Sequence, residues 1–301
     1  MASGLVLIDK PKGWTSHDVV AKLRGIAGTR RVGHAGTLDP MATGLLLVGI
    51  NSATKLLTYL VGASKTYEAT IRLGASTITD DAEGELLEVA SAETVKAITA
   101  EQIELAVSSL RGDIMQVPSS VSAIKVDGER AYAKVRGGDE VKLAARPVSI
   151  IRFEITSQPQ LVRSAQSAFL DFNATIECSS GTYIRALARD LGRQLSVGAH
   201  LTALRRTQIN DYSVEAAQQI DSLSRESLKI MPMVTAAESA FAIHNVSDQE
   251  VIDLRHGKRI ASNGLTGSAI AAVNNGELVA MLESAGQQLK STVVFAGEPD
   301  A

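Results

Sequence analysis

The sequence predicts an α+β fold: a mainly antiparallel mixed sheet flanked by helices, with a small β-rich module at the C-terminal end. Three observations carry this. Long segments such as 65–73 and 168–178 alternate apolar and polar residues, the period of half-buried strands. Helical segments fall among the strands without the strict alternation that a parallel sheet requires. From Phe241 onward the apolar runs are short and separated by turn residues. A chain of 301 residues is long enough for a large domain with a smaller appendage.

Taken in order, "GLVLIDKPKGWTSHDVVAKLRGIAG" reads as a short apolar strand, a Pro/Gly turn and a helix capped by Thr15 or Ser16 that stops near Gly28. The loop "GHAGTLDP" follows at 33–40. "GLLLVGI" reads as a buried strand and "SATKLLTYLVG" as a helix. "KTYEATIRLG" alternates, which turns Tyr67, Ala69, Ile71 and Leu73 inward. "ITAEQIELAVSSLRG" places Ile103, Ala106, Val107 and Leu110 on one helix face. "VSAIKVDGERAYAKVRGG" predicts a strand, a turn at Asp127 and Gly128, and a short basic helix. "PVSIIRFEIT" and "AFLDFNATIECSSG" predict long strands; in the second, Leu170, Phe172, Ala174, Ile176 and Cys178 share a face, making Cys178 a core residue. The stretch 211–239 reads as helix-like and linker-like. Beyond it, "VIDLRHGKRI", "AIAAVNNGELVAMLE" and "STVVFA" predict the β-rich module, with a turn at Asn274 to Gly276.

Composition narrows the classes. With 45% hydrophobic and 21% charged residues the chain is an ordinary globular protein, and no apolar run approaches the roughly 20 residues of a membrane span. The start "MASGLVLIDKPKG" lacks the basic leader and long apolar stretch of a signal peptide, and Cys178 has no second cysteine to pair with, so a cytoplasmic location is expected. A net charge of -3 and a pI near 6.0 argue against charge-driven nucleic-acid binding over the whole surface. Local balance differs: 19–38 carries Lys22, Arg24, Arg30 and Arg31 without an acid, and 185–206 carries five arginines against Asp190, so these stretches are candidates for a phosphate groove. The absence of CxxC pairs, HExxH and a phosphate-binding glycine loop gives metal and nucleotide chemistry no support.

Three separated segments place polar residues on constrained backbone: Asp39 in "GHAGTLDP", Tyr67 on an inward strand face, and "GTYIR" at 181–185, where a strand meets a helix. Gly33 and Gly36 permit backbone angles closed to other residues, and Pro40 biases Asp39 toward an extended conformation. A carboxylate can act as nucleophile or base, an arginine can hold it ionised, and a tyrosine can stack on a planar ring. On these eight residues alone, an Asx-turn or helix cap is the favoured reading of Asp39.

"GLVLIDKPKGWTSHDVV", "RRVGHAGTLDPMATGLLLVGINSATKL", "KTYEATIRLG", "QVPSSVSAIKVDGERAY", "CSSGTYIRALARDLG" and "GAHLTALRRTQI" together closely resemble the bacterial tRNA pseudouridine synthases of the TruB family, which isomerise uridine 55 in the T loop. The likeness runs from residue 4 to 212, and the tail, with "LRHGKRI", is similar to the PUA-type RNA-binding module that often follows this core. The resemblance implies a pseudouridine synthase catalytic domain over 1–212, a helical connector over 213–239 and a PUA-like RNA-binding domain over 240–301. It implies that Asp39 is the catalytic aspartate, that Tyr67 stacks on the target base, that Arg185 pairs with the Asp39 carboxylate and that Tyr183 lines the pocket. Asp81 in "TDDAEG" corresponds to a second active-region acid, His34 to the residue that helps hold the T loop open, and Leu204 to one packed near the flipped base; Arg205 and Arg206 join the substrate-binding set. No cofactor or metal is expected. The implied partner is the T stem-loop of tRNA, with no guide RNA, membrane or obligate protein partner, a monomeric state, and an additional role in assisting tRNA folding.

Two departures stand out: Ser119 replaces a proline common in the family, and Ile78 replaces an acid between Thr77 and Thr79. Both bear on substrate-loop detail rather than on the reaction. Three rivals differ in class. A guide-RNA-dependent synthase would carry long basic extensions, a glycoside hydrolase would use Asp39 and Asp81 on either side of a sugar bond, and a non-catalytic RNA-folding protein would work without Asp39.

Overall fold

The computed structural model describes residues 2–119, 125–126, 129–130, 143–163 and 167–295. The chain divides into two compact units: Met1–Asp39, Leu45–Gly62 and Asn210–Ala301 make up one, Pro40–Gly44 and Ala63–Ile209 the other.

The first unit opens with the strand Gly4–Lys10, buried along its whole length. The helix Ser16–Ala27 follows, and Thr15 is its cap. The Thr15 hydroxyl accepts the Asp18 N–H at 3.1 Å and the Asp18 carboxylate accepts the Thr15 N–H at 2.8 Å, so two of the helix's orphan donors are satisfied reciprocally. Gly28 ends the helix in the left-handed conformation. Val19, Val20, Leu23 and Ala27 pack with Val6, Ile8, Val48 and Ile50, each burial contributing about 1.5–3 kcal/mol for the larger side chains. The stretch expected to be linker-like is instead tied to the first strand. Gln218 and Gln219 pair in parallel with Ile8 and Asp9, and Met231 and Pro232 pair antiparallel with Leu5 and Gly4. Two short 3-10 turns and the helix Met233–Glu238 complete it. Pairings two residues long leave no periodicity to read.

The C-terminal part of this unit has its own five-stranded sheet, in the order Ala242–Asn245, Ile270–Asn274, Glu277–Ala285, Gln288–Val294, Ile260–Ala261. Val251, Leu254, Val279, Leu282 and Leu289 belong to its core. The turn read at Asn274 to Gly276 joins two of its strands, with φ of 49° at Asn275 and 77° at Gly276. The helix Asp248–Arg255, capped reciprocally by Ser247 and Glu250, sits where only strands and turns were expected. Within the same unit the Tyr59 hydroxyl lies 2.6 Å from Thr292 Oγ1, and its ring meets Phe241 edge-on.

The second unit is built on a sheet whose central strand, Lys65–Leu73, runs antiparallel between Ala168–Cys178 and Ala199–Ile209. Arg146–Ile155 and Gly112–Gln116 extend it beyond Ala168–Cys178, and a parallel pairing of Arg205 and Arg206 with Thr43 and Gly44 makes it mixed. The alternation is borne out: Tyr67, Ala69, Ile71 and Leu73 are buried while Glu68 is exposed. Leu170, Phe172, Ala174, Ile176 and Cys178 are buried likewise, and burial pushes the Cys178 thiol up to about 11. The helix Ala100–Ser108 buries Ile103, Ala106 and Val107. The hairpin Ala75–Thr77 with Leu86–Val89 escaped the sequence because all four residues of its second strand are exposed, leaving no buried face to detect. Lys125–Val126 pairs with Glu129–Arg130; the turn expected at Asp127 and Gly128 and the basic helix after it lie outside the described residues.

Candidate active site

The loop carrying Asp39 is anchored one residue before it. Ser16, at the start of the first helix and 2% exposed, accepts the Leu38 N–H at 2.9 Å and donates its hydroxyl to the Leu38 carbonyl at 3.2 Å. The Leu38 side chain is buried, so backbone and side chain both fix the approach to the half-buried Asp39. Only Gly36 uses the expected conformational freedom, with φ of +83°; Gly33 lies in the strand Val32–Ala35, where no such freedom is needed. His34 is on that strand, and its ring meets His17 edge-on at 5.7 Å between centroids.

In the second unit, strand register assembles a row of side chains. Tyr67 lies opposite Ile176 on one neighbouring strand and Arg206 on the other, and Ala69 lies opposite Leu204. Directly opposed residues share a face, so Tyr67, Leu204 and Arg206 stand together on the buried side. One row on, Lys65 faces Cys178 and Ile209. The Lys65 ammonium donates to the Ala63 carbonyl at 2.6 Å; burial, and then the nearby Arg206 charge, push it down to about 8. Arg205 and Arg206 were expected to act alike, but alternation separates them. Arg206 is 1% exposed, whereas Arg205 lies opposite Glu68 on the other face and reaches Thr43 Oγ1 at 3.4 Å.

The third cluster forms where the helix Ile184–Gln194 begins. Tyr183 is its cap residue and offers no side-chain capping bond; instead its backbone is clamped by the buried Gln116, which accepts the Tyr183 N–H at 2.8 Å and donates to the Tyr183 carbonyl at 3.1 Å. Arg185 is 5% exposed, donates to the Thr79 carbonyl at 2.8 Å and lies 3.5 Å from Asp81 Oδ2. The other Asp81 oxygen accepts Thr79 Oγ1 at 2.6 Å and the Glu83 N–H at 3.0 Å, so this acid both caps a turn and faces a guanidinium. Arg185 was expected to pair with Asp39, a residue of the other unit; inside its own unit its partners are Thr79 and Asp81.

The phosphate groove expected from the arginines of 185–206 needs correcting. Arg185, Arg189 and Arg206 are turned into the unit, and only Arg193 of the helix is broadly exposed, at 70%. Gln116 and Asp80 were not singled out in the sequence, and Arg189 only as one of the groove arginines, since their roles depend on partners many residues away. Among the described residues no cluster of three or more His, Cys, Asp or Glu side chains is suited to a metal ion.

Comparison with known proteins agrees along the chain. Residues 24–184 match the family model described as TruB family pseudouridylate synthase (N terminal domain), 185–242 match tRNA pseudouridylate synthase B C-terminal domain, and 241–296 match tRNA Pseudouridine synthase II, C terminal. The tRNA pseudouridine synthase B of Paenarthrobacter aurescens (strain TC1) is 55% identical over 98% of this chain and 96% of its own. That of Leifsonia xyli subsp. xyli (strain CTCB07) is 50% identical over 99% and 98%. A chain of a solved Cbf5-Nop10-Gar1 complex shares the fold with a TM-score of 0.69 at 24% identity, covering 97% of this chain and 85% of that one. With successive family models matched in chain order and relatives aligned from end to end, the chain belongs to the TruB family of pseudouridine synthases, and it is an isomerase.

Proposed function

We propose that this enzyme converts uridine 55 in the T loop of tRNA to pseudouridine, with Asp39 as the reacting carboxylate and without a cofactor. The observation that supports it most directly is the row of Tyr67, Arg206 and Leu204 on one buried sheet face, a ring, a cation and an apolar wall suited to a planar base. In the reaction the bond from N1 to C1' breaks, C5 joins C1', the C5 proton is lost and N1 gains one, so nothing is oxidised, reduced or hydrolysed. The base must leave its stack to react, and stacking on Tyr67 offsets this by about 1–3 kcal/mol. Arg185 serves as the cation that pairs with the Asp39 carboxylate. The final C5 proton goes to a water or passes through the Tyr67 hydroxyl, which accepts it only as it gives up its own proton to water.

The proposal extends to a stand-alone monomer with no guide RNA or obligate protein partner. The catalytic domain spans 1–212, 213–239 connects, and 240–301 binds RNA through the exposed run Arg255 to Arg259. His34 and Tyr183 complete the substrate contacts. A glycoside hydrolase fits poorly, because both Asp81 oxygens are engaged, one by Thr79 and Glu83 and the other by Arg185. The test is a T stem-loop tritiated at uridine C5: the parent should release tritium together with pseudouridine, and Asp39→Asn should release none while binding RNA within about threefold of the parent. Residual turnover above about a tenth of the parent rate in Asp39→Asn would remove the aspartate from the chemistry. Appearance of free uracil would point to glycosidic hydrolysis instead.

A further inference from the structure

Beside the Asp81–Arg185 pair stands a second one. Arg189 Nη1 lies 3.4 Å from Asp80 Oδ2, and both side chains are almost wholly buried, at 12% and 10% exposure. Consecutive residues on an extended chain point to opposite sides, so Asp80 and Asp81 would not ordinarily meet one helix face. Asp80 has φ of +59°, and this left-handed residue turns the chain. Arg185 and Arg189 are four residues apart in the helix Ile184–Gln194 and therefore lie one above the other. The two acids and two arginines thus form a two-rung ladder, with distances of 3.5 and 3.4 Å.

Arg189 also holds a third segment. Its Nη2 donates to the Val117 carbonyl at 2.6 Å and its Nη1 to that of Pro118 at 3.5 Å, while Nε reaches Asp190 at 2.9 Å. Val117 follows Gln116, the residue clamped to the Tyr183 backbone. One guanidinium therefore joins the Asp80 turn, the helix and the strand end leading to the Tyr183 clamp.

We propose that Asp80 and Arg189 are a positioning pair for the isomerisation: they touch no substrate, but they hold Asp81, Arg185 and Tyr183 in the arrangement the chemical step uses. This rests on the site reading above. Burial pushes the Asp80 carboxyl pKa up, against hydrogen bonding by Ser119 and the pull of Arg189, Arg185 and Arg193.

The test compares Asp80→Asn, Arg189→Met and the double variant by single-turnover rate at saturating T stem-loop, RNA affinity and melting temperature. Arg189→Met should lose stability, because it leaves a buried carboxylate without its partner. The double variant removes that lone charge and should regain much of the melting temperature. Its rate should nevertheless stay about tenfold or more below the parent, with RNA affinity within about threefold, and no lower than the slower single variant, as expected of groups that act as one unit. A rate within about twofold of the parent in the double variant, or rate losses that multiply, would overturn the proposal. Arg185→Lys and Asp39→Asn run alongside: if they too keep the parent rate, the failure lies in the reading of the site rather than in the positioning pair.

Discussion

Lys65→Met should change how stability depends on pH, and the direction follows from where the amine sits. Lys65 is 6% exposed, and its pKa falls from 10.5 to about 8, chiefly because burial penalises the ammonium and secondarily because Arg206 is near. Between those values the unfolded chain holds a proton that the folded chain has released. Stability therefore climbs as pH rises from 8 toward 10.5, and the whole cost of the buried ammonium is present below 8. From pH 7 to 9.5 this shift corresponds to a gain of about 2 kcal/mol at most. Met fills similar volume without a charge, so the parent should gain on the variant by that amount across the window. At pH 7 the variant loses the bond to the Ala63 carbonyl but also sheds the ammonium's cost, so the slope is more informative than the offset. Urea unfolding followed by circular dichroism at several pH values measures it, and the other lysines cancel in the difference. A difference that stays flat or falls from pH 8 to 9.5 would refute the reasoning.

Gly44→Ala should destabilise the enzyme by about 3 kcal/mol or more, since φ there is +102° and a Cβ would sit 2.2 Å from the Arg206 carbonyl oxygen; an unchanged melting temperature would contradict this. Tyr67→Phe should cut the single-turnover rate by about a hundredfold while RNA affinity holds, if the ring stacks and its hydroxyl carries the C5 proton as proposed. Near-parental turnover would assign that proton to water. Deleting 240–301 should weaken binding of full-length tRNA and flatten its salt dependence by about 0.7–0.9 per lost phosphate contact, while turnover at saturating T stem-loop changes little. It should also lower the melting temperature, because Tyr59 loses Phe241 and Thr292; calorimetry of the truncated protein checks this.

Periodic elements were the most legible part of the chain. Ile103, Ala106 and Val107 mark one helix stripe, Tyr67 to Leu73 and Leu170 to Cys178 mark strands, and both Thr15 and Gly28 announce their helix ends. What escaped is short or long-range. Gln218 and Gln219 form a strand only because Ile8 and Asp9 lie beside them, and Leu86–Val89 is all exposed. Within the site, the family resemblance singled out Asp81 and Arg185, which lie 3.5 Å apart, although the pairing it implied for Arg185 was with Asp39. The adjacent arginines 205 and 206 went to opposite faces because they sit in a strand, a fact their charge conceals. Gln116 and Arg189 act on backbone carbonyls and an acid 67 to 109 residues away, distances at which no local pattern survives.

The strand Lys65–Leu73 is flanked by antiparallel partners on both edges along all nine of its residues, with two bulges on the Ala199–Ile209 side. Amides in such a strand exchange with solvent only when the whole unit opens, so hydrogen exchange around Tyr67 should report global rather than local unfolding. The ring proposed to receive the uracil rides on backbone that does not yield to a ligand. On that proposal the fit would come from the other side: the nucleotide would bend to a fixed surface, and an RNA whose loop resists that deformation would be rejected by its own stiffness.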